Sequence, residues 1–296
     1  MGEIYYNDSY GLIANRGGNN NSIGIESCIN QGCNLYYIYQ KTAKLVAKLL
    51  DENNLNIDEI ERIGIAAPGT ISNGKIVKAG NLNIKNFDII SELKKIYNNP
   101  LQIRNDGKCA ALAEKVYGAM KEYDDCVFIN IGTGIGGAAF LNGKLLEPKR
   151  YSGFEFGHMV LNKGGRLCSC GKQGCFEAYA SIKALKLKVT ETLDVDSDIS
   201  GQFLREKLLI KDDPRVKEDI EVFLEYLKTG IGNLIDIFEP EIVCLGGSFA
   251  YYEGNPILFQ LIEKLNKIQT SENKYLRNKL SEIKVELKFQ RKLALP

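Results

Sequence analysis

The chain has 296 residues, with 38 basic and 37 acidic side chains, a net charge of +1 and eight cysteines. This length is enough for one large or two ordinary domains, each with its own hydrophobic core. The balanced charge gives no reason to expect a nucleic acid or a membrane surface as a partner. The cysteines are too few for a disulfide scaffold, the first residues lack a leader pattern, and no apolar run could span a bilayer. We therefore predict a cytoplasmic protein.

The N-terminal segment is rich in Asn, Gly and Tyr. We expect a loop over residues 15–22 (NRGGNNNS) and a short strand over residues 22–28. A helix is predicted over residues 42–50, whose leucine and valine side chains share one helical face.

From residue 57 onward, short apolar strands alternate with helical patterns. We expect strands over residues 63–67, 101–103, 126–131, 241–245 and 283–289. We expect helices over residues 87–97, 107–119, 176–187, 220–237 and 257–268. Asn142-Gly143 predicts a hairpin with a type I′ turn. The alternation of strands and helices predicts an α/β fold with two lobes.

A cluster of potential metal ligands occupies residues 158–175. His158, Cys168, Cys170 and Cys175 offer one imidazole and three thiols, a complete tetrahedral set for zinc. Nearby glycines let a short loop fold back around an ion. The alternative is a set of buried or disulfide-bonded cysteines. The C-x-C-x4-C spacing, with a histidine ten residues upstream, favours a closed structural zinc site.

Three further motifs lie at predicted strand ends. Pro68-Gly69 stops one strand, and Asn105-Asp106 stands at a switch from strand to helix, where α/β enzymes keep working residues. Residues 132–137 (GTGIGG) and Gly246-Gly247 could bring backbone amides close to a phosphate. Plainer explanations exist, because Pro-Gly and glycine runs suit any tight turn and Asp is favoured as a helix N-cap.

Four motifs follow one another along the chain: P-G, N-D, G-T-G-I-G-G, and G-F-E-F-G-H together with C-x-C-G-x-x-G-C-x-E. In this order they resemble the ROK family of repressors, open reading frames and kinases, over about residues 56–289. The resemblance implies a two-lobed α/β fold of the actin/hexokinase (ribonuclease H-like) type with a zinc loop. The lobes would be residues 56–120 and 121–296. It also implies a glucokinase-like transferase that uses ATP and Mg²⁺ on a hexose or N-acylhexosamine, in a family that often forms homodimers.

The resemblance assigns roles to matching positions. Asp106 would be the catalytic base, which takes a proton from the acceptor hydroxyl as the bond to phosphorus forms. The sugar-binding residues would be Gly69, Asn105, Asp106, Glu155, His158 and Glu177. The ATP-binding residues would be Gly132, Thr133, Gly134, Gly246 and Gly247. His158 would serve the metal and the sugar through its two ring nitrogens. For the two glutamates the alternative is ordinary solvated surface.

The N-terminal segment, residues 1–55, departs from the family pattern. Family kinases open with a strand that carries D-x-G-G-T, the first phosphate loop, and Asn15-Arg-Gly-Gly18 lacks its acidic residue and its threonine. Residues 18–54 instead resemble a fragment of an N-acetylmuramoyl-L-alanine amidase, but lack the histidines through which such amidases bind zinc. We interpret this segment as the product of a fusion.

The missing loop has consequences for fold and function. We expect the central sheet to lose strands unless residues 4–28 replace them, and the sugar and zinc sites to be better preserved than the ATP site. In the C-terminal segment, residues 291–296 (RKLALP) lack the stretch rich in glycine and alanine that usually follows the last strand in this family.

The alternative function is a non-catalytic sugar-binding or sensor protein. Residues 1–55 show no helix pair or basic stripe for DNA. The choice among glucose, fructose, mannose and their N-acetylated relatives stays open.

Overall fold

The computed structural model describes residues 2–7, 11–16, 19–24, 35–79, 84–148 and 153–252, with residues 257, 260, 261, 263 and 264. The chain divides into two compact units. Unit 1 comprises Met1–Ala113, Pro148–Gly153 and Lys292–Pro296, and unit 2 comprises Glu114–Glu147 and Phe154–Arg291. The predicted strand over residues 283–289 and the segment 291–296 lie outside the described residues.

Unit 1 is built on a five-stranded sheet. Its strands and helices are β1 (Gly2–Asn7), β2 (Gly11–Arg16), β3 (Asn19–Gly24), α1 (Leu35–Glu52), β4 (Ile60–Ala67), β5 (Thr70–Ser72), β6 (Lys75–Ala79), β7 (Ile84–Phe87), α2 (Ile89–Leu93), β8 (Leu101–Asn105) and the start of α3 (Asp106–Tyr117). The sheet order is β3-β2-β1-β4-β8, and β5, β6 and β7 form a second, antiparallel sheet. Because β1, β4 and β8 run parallel, their carboxyl ends share one edge.

The N-terminal segment contributes three strands to this sheet, which is the replacement that our expectation of lost strands allowed for. β1, β2 and β3 form an antiparallel meander, and β1 joins it to β4. The predicted loop over residues 15–22 is wrong for its described part, because Arg16 ends β2 and pairs with Asn19 of β3. Composition was misleading here: strand pairing with neighbours outweighs the low β propensity of Asn. The predicted strand over residues 22–28 overlaps β3, and its residues 25–28 lie outside the described residues.

The core of unit 1 lies between the main sheet and helices α1 and α2. Val46 and Leu49 of α1 are completely buried, together with Ile63 of β4. The predicted helix over residues 42–50 is confirmed as part of α1. The helix predicted over residues 87–97 is shorter, because Phe87 still belongs to β7 and the Asp88 side chain caps α2 by accepting from the Ser91 amide at 2.9 Å.

Unit 2 contains a four-stranded sheet covered by helices. Its elements are β9 (Cys126–Ile131), β10 (Ile135–Leu141), β11 (Lys144–Leu145), α4 (Glu177–Ala180), α5 (Ile182–Leu193), α6 (Gly201–Phe203), α7 (Pro214–Phe238) and β12 (Ile242–Gly246). The sheet order is β11-β10-β9-β12, with β9 and β12 parallel. Asn142 and Gly143 have φ of 52° and 72°, which confirms the type I′ turn between β10 and β11.

Helix α7 packs tightly against the segment that follows the cysteine cluster. A Cβ atom on Gly230 of α7 would lie 2.3 Å from the ring of Phe176, which is completely buried. We predict that Gly230→Ala lowers the free energy of unfolding by about 1–3 kcal/mol through overpacking. Gly232→Ala on the same helix is the control, because its Cβ meets no atom within 4 Å. It should stabilise by about 0.5–1 kcal/mol in urea unfolding. Equal effects would contradict this packing.

None of the helices in the described part of the chain combines the length and the apolar content that a bilayer crossing needs.

Candidate functional site

The predicted ligand atoms of the cysteine cluster come together in unit 2. One ligand atom each from His158, Cys168, Cys170 and Cys175 lies within 4.8 Å of every other. The Cys168 Sγ is 3.6 Å from the His158 Nδ1, and the Cys170 Sγ is 3.7 Å from the Cys175 Sγ. A disulfide bond would hold two sulfur atoms about 2.0 Å apart. The four side chains are therefore close neighbours, and Cys170 and Cys175 are not bonded as a disulfide.

These separations fit a tetrahedral zinc site. Zinc binds sulfur at about 2.3 Å and nitrogen at about 2.0–2.1 Å, which places two sulfur ligands about 3.8 Å apart and a sulfur and a nitrogen about 3.6 Å apart. The two contacts of the cluster, 3.7 Å and 3.6 Å, match these edges. Four protein ligands fill a tetrahedron, so such a site is closed and holds no position for a catalytic water.

Without a metal, the three thiols of the cluster differ in pKa. Burial raises the pKa of the Cys175 thiol to about 12 and raises the pKa of Cys168. Cys170 is exposed, and its pKa is lowered. Its partial burial favours a higher pKa, but hydrogen bonds from the Lys172 amide and from the neighbouring thiols outweigh that effect. A metal ion has to displace thiol protons when it binds at this site.

The cysteine loop is held in place by short-range bridges and by α7. Isolated β-bridges join Val160 to Cys175 and Leu167 to Gln173. The Tyr179 ring stacks on the Tyr226 ring of α7 at 4.1 Å, and its hydroxyl accepts from the Arg166 amide at 2.7 Å. The two sides of the loop, before residue 168 and after residue 172, are therefore braced by contacts that do not depend on a metal.

Two glycine-rich turns lie at the carboxyl ends of β9 and β12. These strands are parallel and Gly246 pairs with Asn130, so both turns leave the sheet at the same edge. The Ser248 Oγ donates to the Ile131 carbonyl at 3.4 Å. Gly247 has φ of 75°, and a Cβ there would lie 2.4 Å from the Asn130 Oδ1. The structure thus brings Gly132, Thr133, Gly134, Gly246 and Gly247 to the same edge of the sheet. Their role in ATP binding stays a prediction.

Glu177 connects the cysteine loop to the first of these turns. Its Oε2 accepts from the Ile135 amide at 3.0 Å, and its Oε1 accepts from the Ser169 hydroxyl at 2.8 Å. The Cys168 Sγ lies 3.7 Å from the same Oε1. The family resemblance implies that Glu177 binds the sugar. The two partners seen here were not predicted, because they lie 42 and 8 residues away along the chain.

Glu155 directly precedes a 3-10 turn, Phe156–His158, of which His158 is the last residue. The Glu155 side chain is exposed, while its carbonyl accepts from the His158 amide at 3.0 Å. The preceding residue, Phe154, has φ of 58°, a left-handed conformation that a bulky side chain rarely adopts. Such strain persists only where packing enforces it, and Phe154 packs against the core of unit 2. No feature of the sequence predicts this strained position.

Asn105 and Asp106 stand where β8 becomes α3, at the carboxyl edge of the unit 1 sheet. The Asn105 Oδ1 accepts from the Lys108 amide at 3.2 Å, and its Nδ2 donates to the Gly69 carbonyl at 3.0 Å. Asn105 therefore caps the helix. The Asp106 Oδ1 accepts from the Gly107 amide at 2.7 Å. The simple explanation of Asp106 as the N-cap is weakened, because its neighbour fills that role.

The backbone at position 69 can accommodate only glycine. It has φ of 89°, and a Cβ there would lie 2.2 Å from the Lys78 carbonyl oxygen. The turn after β4 and the start of α3 are thus joined in unit 1 through the Asn105 side chain. In contrast, Asn15 and Arg16 belong to β2, so the glycine pair that we compared with the first phosphate loop follows the second strand instead of the first.

Residues 37–289 match the sequence model of the ROK family. The chain belongs to the ROK family. The match begins earlier than the start near residue 56 that we predicted, so most of α1 lies in the ROK domain. The resemblance of residues 18–54 to an amidase fragment stays a prediction.

A xylose repressor from Bacillus subtilis (strain 168) is 37% identical over 199 residues, 66% of this chain and 50% of the repressor. A glucokinase from Thermotoga maritima is 31% identical over 216 residues, 65% of this chain and 65% of that protein. The chain spans about half the length of the xylose repressors that it matches.

Among solved structures, the ROK hexokinase from Thermus thermophilus is similar with a TM-score of 0.73 at 26% identity, over 92% of this chain and 90% of the hexokinase. The fold is that of ROK sugar kinases, an α/β fold of the actin and hexokinase type. Sequence relatives of this chain include both repressors and kinases.

Proposed function

We propose that this ROK chain is a sugar kinase by descent, which transfers the γ-phosphoryl group of ATP to a hydroxyl of a hexose or N-acylhexosamine. The observation that carries the proposal is the placement of Asn105 and Asp106 in unit 1, where a capped helix begins at the carboxyl edge of a parallel sheet. Kinases among the relatives support it. Oligomerisation as a homodimer and a cytoplasmic location are part of the same proposal.

Asp106 is the catalytic base of this proposal. Phosphoryl transfer needs positioning and charge stabilisation more than covalent help from the protein. A carboxylate next to the acceptor hydroxyl takes its proton as the oxygen bonds to phosphorus and the bond to ADP breaks. The bond from the Gly107 amide fixes the Asp106 carboxylate, and the Asn105 side chain is fixed by Gly69 and Lys108.

His158, Cys168, Cys170 and Cys175 would hold a structural zinc ion, whose chemistry is to fix the loop. With Nδ1 facing Cys168, the other ring nitrogen of His158 can hydrogen-bond a sugar hydroxyl. The exposed Glu155 carboxylate lies three residues before His158 in the chain and can accept hydrogen bonds from sugar hydroxyls. The residues of unit 2 that we propose bind the sugar are thus Glu155, His158 and Glu177, whose carboxylate oxygens can accept further hydrogen bonds.

The nucleotide site of this proposal consists of two glycine-rich turns. The turns at Gly132–Gly134 and Gly246–Gly247 offer backbone to the phosphates and the adenosine. The sequence carries no D-x-G-G-T motif, whose acidic residue would help to organise Mg²⁺. Loss of one preorganised donor can slow a reaction on the order of a hundredfold or more, so we expect slow turnover.

The second candidate function is a sugar-binding protein without turnover. The identity of 37% to a xylose repressor and the missing phosphate-loop motif favour it. The chain matches only about half of that repressor, so no further property of the repressor is transferred to it.

ADP release with Mg²⁺, ATP and a panel of sugars separates the two functions. The panel contains glucose, mannose, fructose, their N-acetylated relatives and xylose. A kinase releases ADP in a sugar-dependent manner. A binding protein gives a calorimetric signal with a sugar but none with Mg²⁺ and ATP, and releases no ADP.

A further inference from the structure

The glycine turn after β9 rests on the segment that follows the last cysteine of the cluster. Glu177 comes two residues after Cys175, and its Oε2 accepts from the Ile135 amide at 3.0 Å. On the other side of the same turn, the Ile182 amide donates to the Gly132 carbonyl at 2.9 Å. Both ends of the turn are therefore anchored to residues 177–182.

The carboxylate fits against this turn only because the turn lacks side chains there. A Cβ atom on Gly134 would lie 2.3 Å from the Glu177 Oε2. A carboxylate that accepts from a backbone amide makes a charge-assisted hydrogen bond, which is stronger than one between neutral groups. The contact between Glu177 and the turn is thus close and directional.

The other carboxylate oxygen faces the cysteine loop. The Glu177 Oε1 accepts from the Ser169 hydroxyl at 2.8 Å, and Ser169 lies between the two cysteines of the C-x-C motif. Cys175 and Phe176, just before Glu177, are completely buried, so the backbone at Glu177 has little freedom to move independently. One side chain therefore links the metal-binding loop to the glycine turn.

We propose that Glu177 is a positioning residue that couples the metal site to the glycine turn 132–135. With the four ligands gathered on an ion, Ser169 and Glu177 are held in register, and Glu177 holds the Ile135 amide. Without the ion, the Ser169 end is released and the turn loosens. The consequence for the nucleotide rests on the proposed function: affinity for Mg²⁺ and ATP falls when the metal is removed.

The first test is amide hydrogen exchange at Ile135, which needs no nucleotide. In the metal-loaded protein, Glu177→Ala should speed exchange at this amide by at least about tenfold. Glu177→Gln should restore most of the protection, because its amide oxygen still accepts, and Ser169→Ala should give an intermediate effect. Amides of β9 within residues 127–129 and the variant Glu191→Ala, an exposed α5 carboxylate, serve as controls.

The decisive arm is a cycle that combines Glu177→Ala with metal depletion by a chelator. Depletion should speed exchange at Ile135 in the unmodified protein and add little in Glu177→Ala, because the link is already broken. An equal effect of depletion in both proteins, or unchanged exchange in Glu177→Ala, overturns the proposal. Calorimetric titration with Mg²⁺ and ATP is carried out on the same proteins, with and without metal depletion. Absence of nucleotide binding in the unmodified protein contradicts the proposed function, while the exchange cycle still decides the coupling.

Discussion

Asp106→Asn should lower the kcat of sugar phosphorylation by about 100- to 10,000-fold, with sugar affinity largely retained. The amide oxygen of Asn keeps an acceptor for the Gly107 amide, which the Asp106 Oδ1 now binds at 2.7 Å. It cannot take a proton from the acceptor hydroxyl. Steady-state ADP release and sugar calorimetry on the same preparation separate a loss of kcat from a loss of binding.

Asp88→Asn is the matched control for this substitution. Asp88 also stands at a helix start in unit 1, where its side chain accepts from the Ser91 amide at 2.9 Å. Its hydrogen bond from the Ser91 backbone holds the pKa of that carboxyl below its usual value. Asp88→Asn should cost at most about 1 kcal/mol of stability and leave kcat unchanged. If Asp106→Asn behaves in the same way, Asp106 is a structural residue and the assigned base is wrong.

Cys175→Ser should reduce the bound zinc from about one per chain to a small fraction of that, because a hydroxyl is a poor substitute for a buried thiolate. The expected consequences are a lower Tm and a sugar affinity at least about tenfold weaker, since His158 loses the ion that orients its ring. Metal analysis of the purified protein, thermal unfolding and sugar calorimetry measure the three effects.

Cys126→Ser is the control for the zinc site. Cys126 is equally buried but lies in β9, and its Sγ donates to the Tyr123 carbonyl at 3.1 Å, a bond that a hydroxyl can keep. Burial raises the pKa of this thiol to about 12, as it does for Cys175, but Cys126 does not belong to the cluster of His158, Cys168, Cys170 and Cys175. Retention of zinc in Cys126→Ser and its loss in Cys175→Ser is the expected pair. Zinc well below one per chain in the unmodified protein would refute the metal site.

The sequence predicts those elements whose signals are local. β9 and β12 are short, mostly apolar runs, and the positive φ angles of the turn between β10 and β11 follow from Asn142-Gly143. The cysteine cluster can also be predicted from a local signal, because its four potential ligands fall within eighteen residues and their spacing alone suggests a metal site.

The features that the sequence missed depend on contacts between distant residues. β2 and β3 are strands because they pair with each other and with β1, although the Asn-rich stretch over residues 15–22 indicates a loop. Glu177 reaches Ile135 across 42 residues, and neither residue type signals the contact. Phe154 adopts a left-handed backbone that no sequence rule predicts for a bulky side chain.

The most direct test of the central claim is ADP release by the unmodified, zinc-loaded protein with Mg²⁺, ATP and the sugar panel. The proposal predicts slow ADP release from ATP that depends on at least one hexose or N-acylhexosamine and that Asp106→Asn lowers by about 100- to 10,000-fold. Tight binding of a sugar without any binding of Mg²⁺ and ATP, and without ADP release, would contradict the kinase and establish the sugar-binding protein instead.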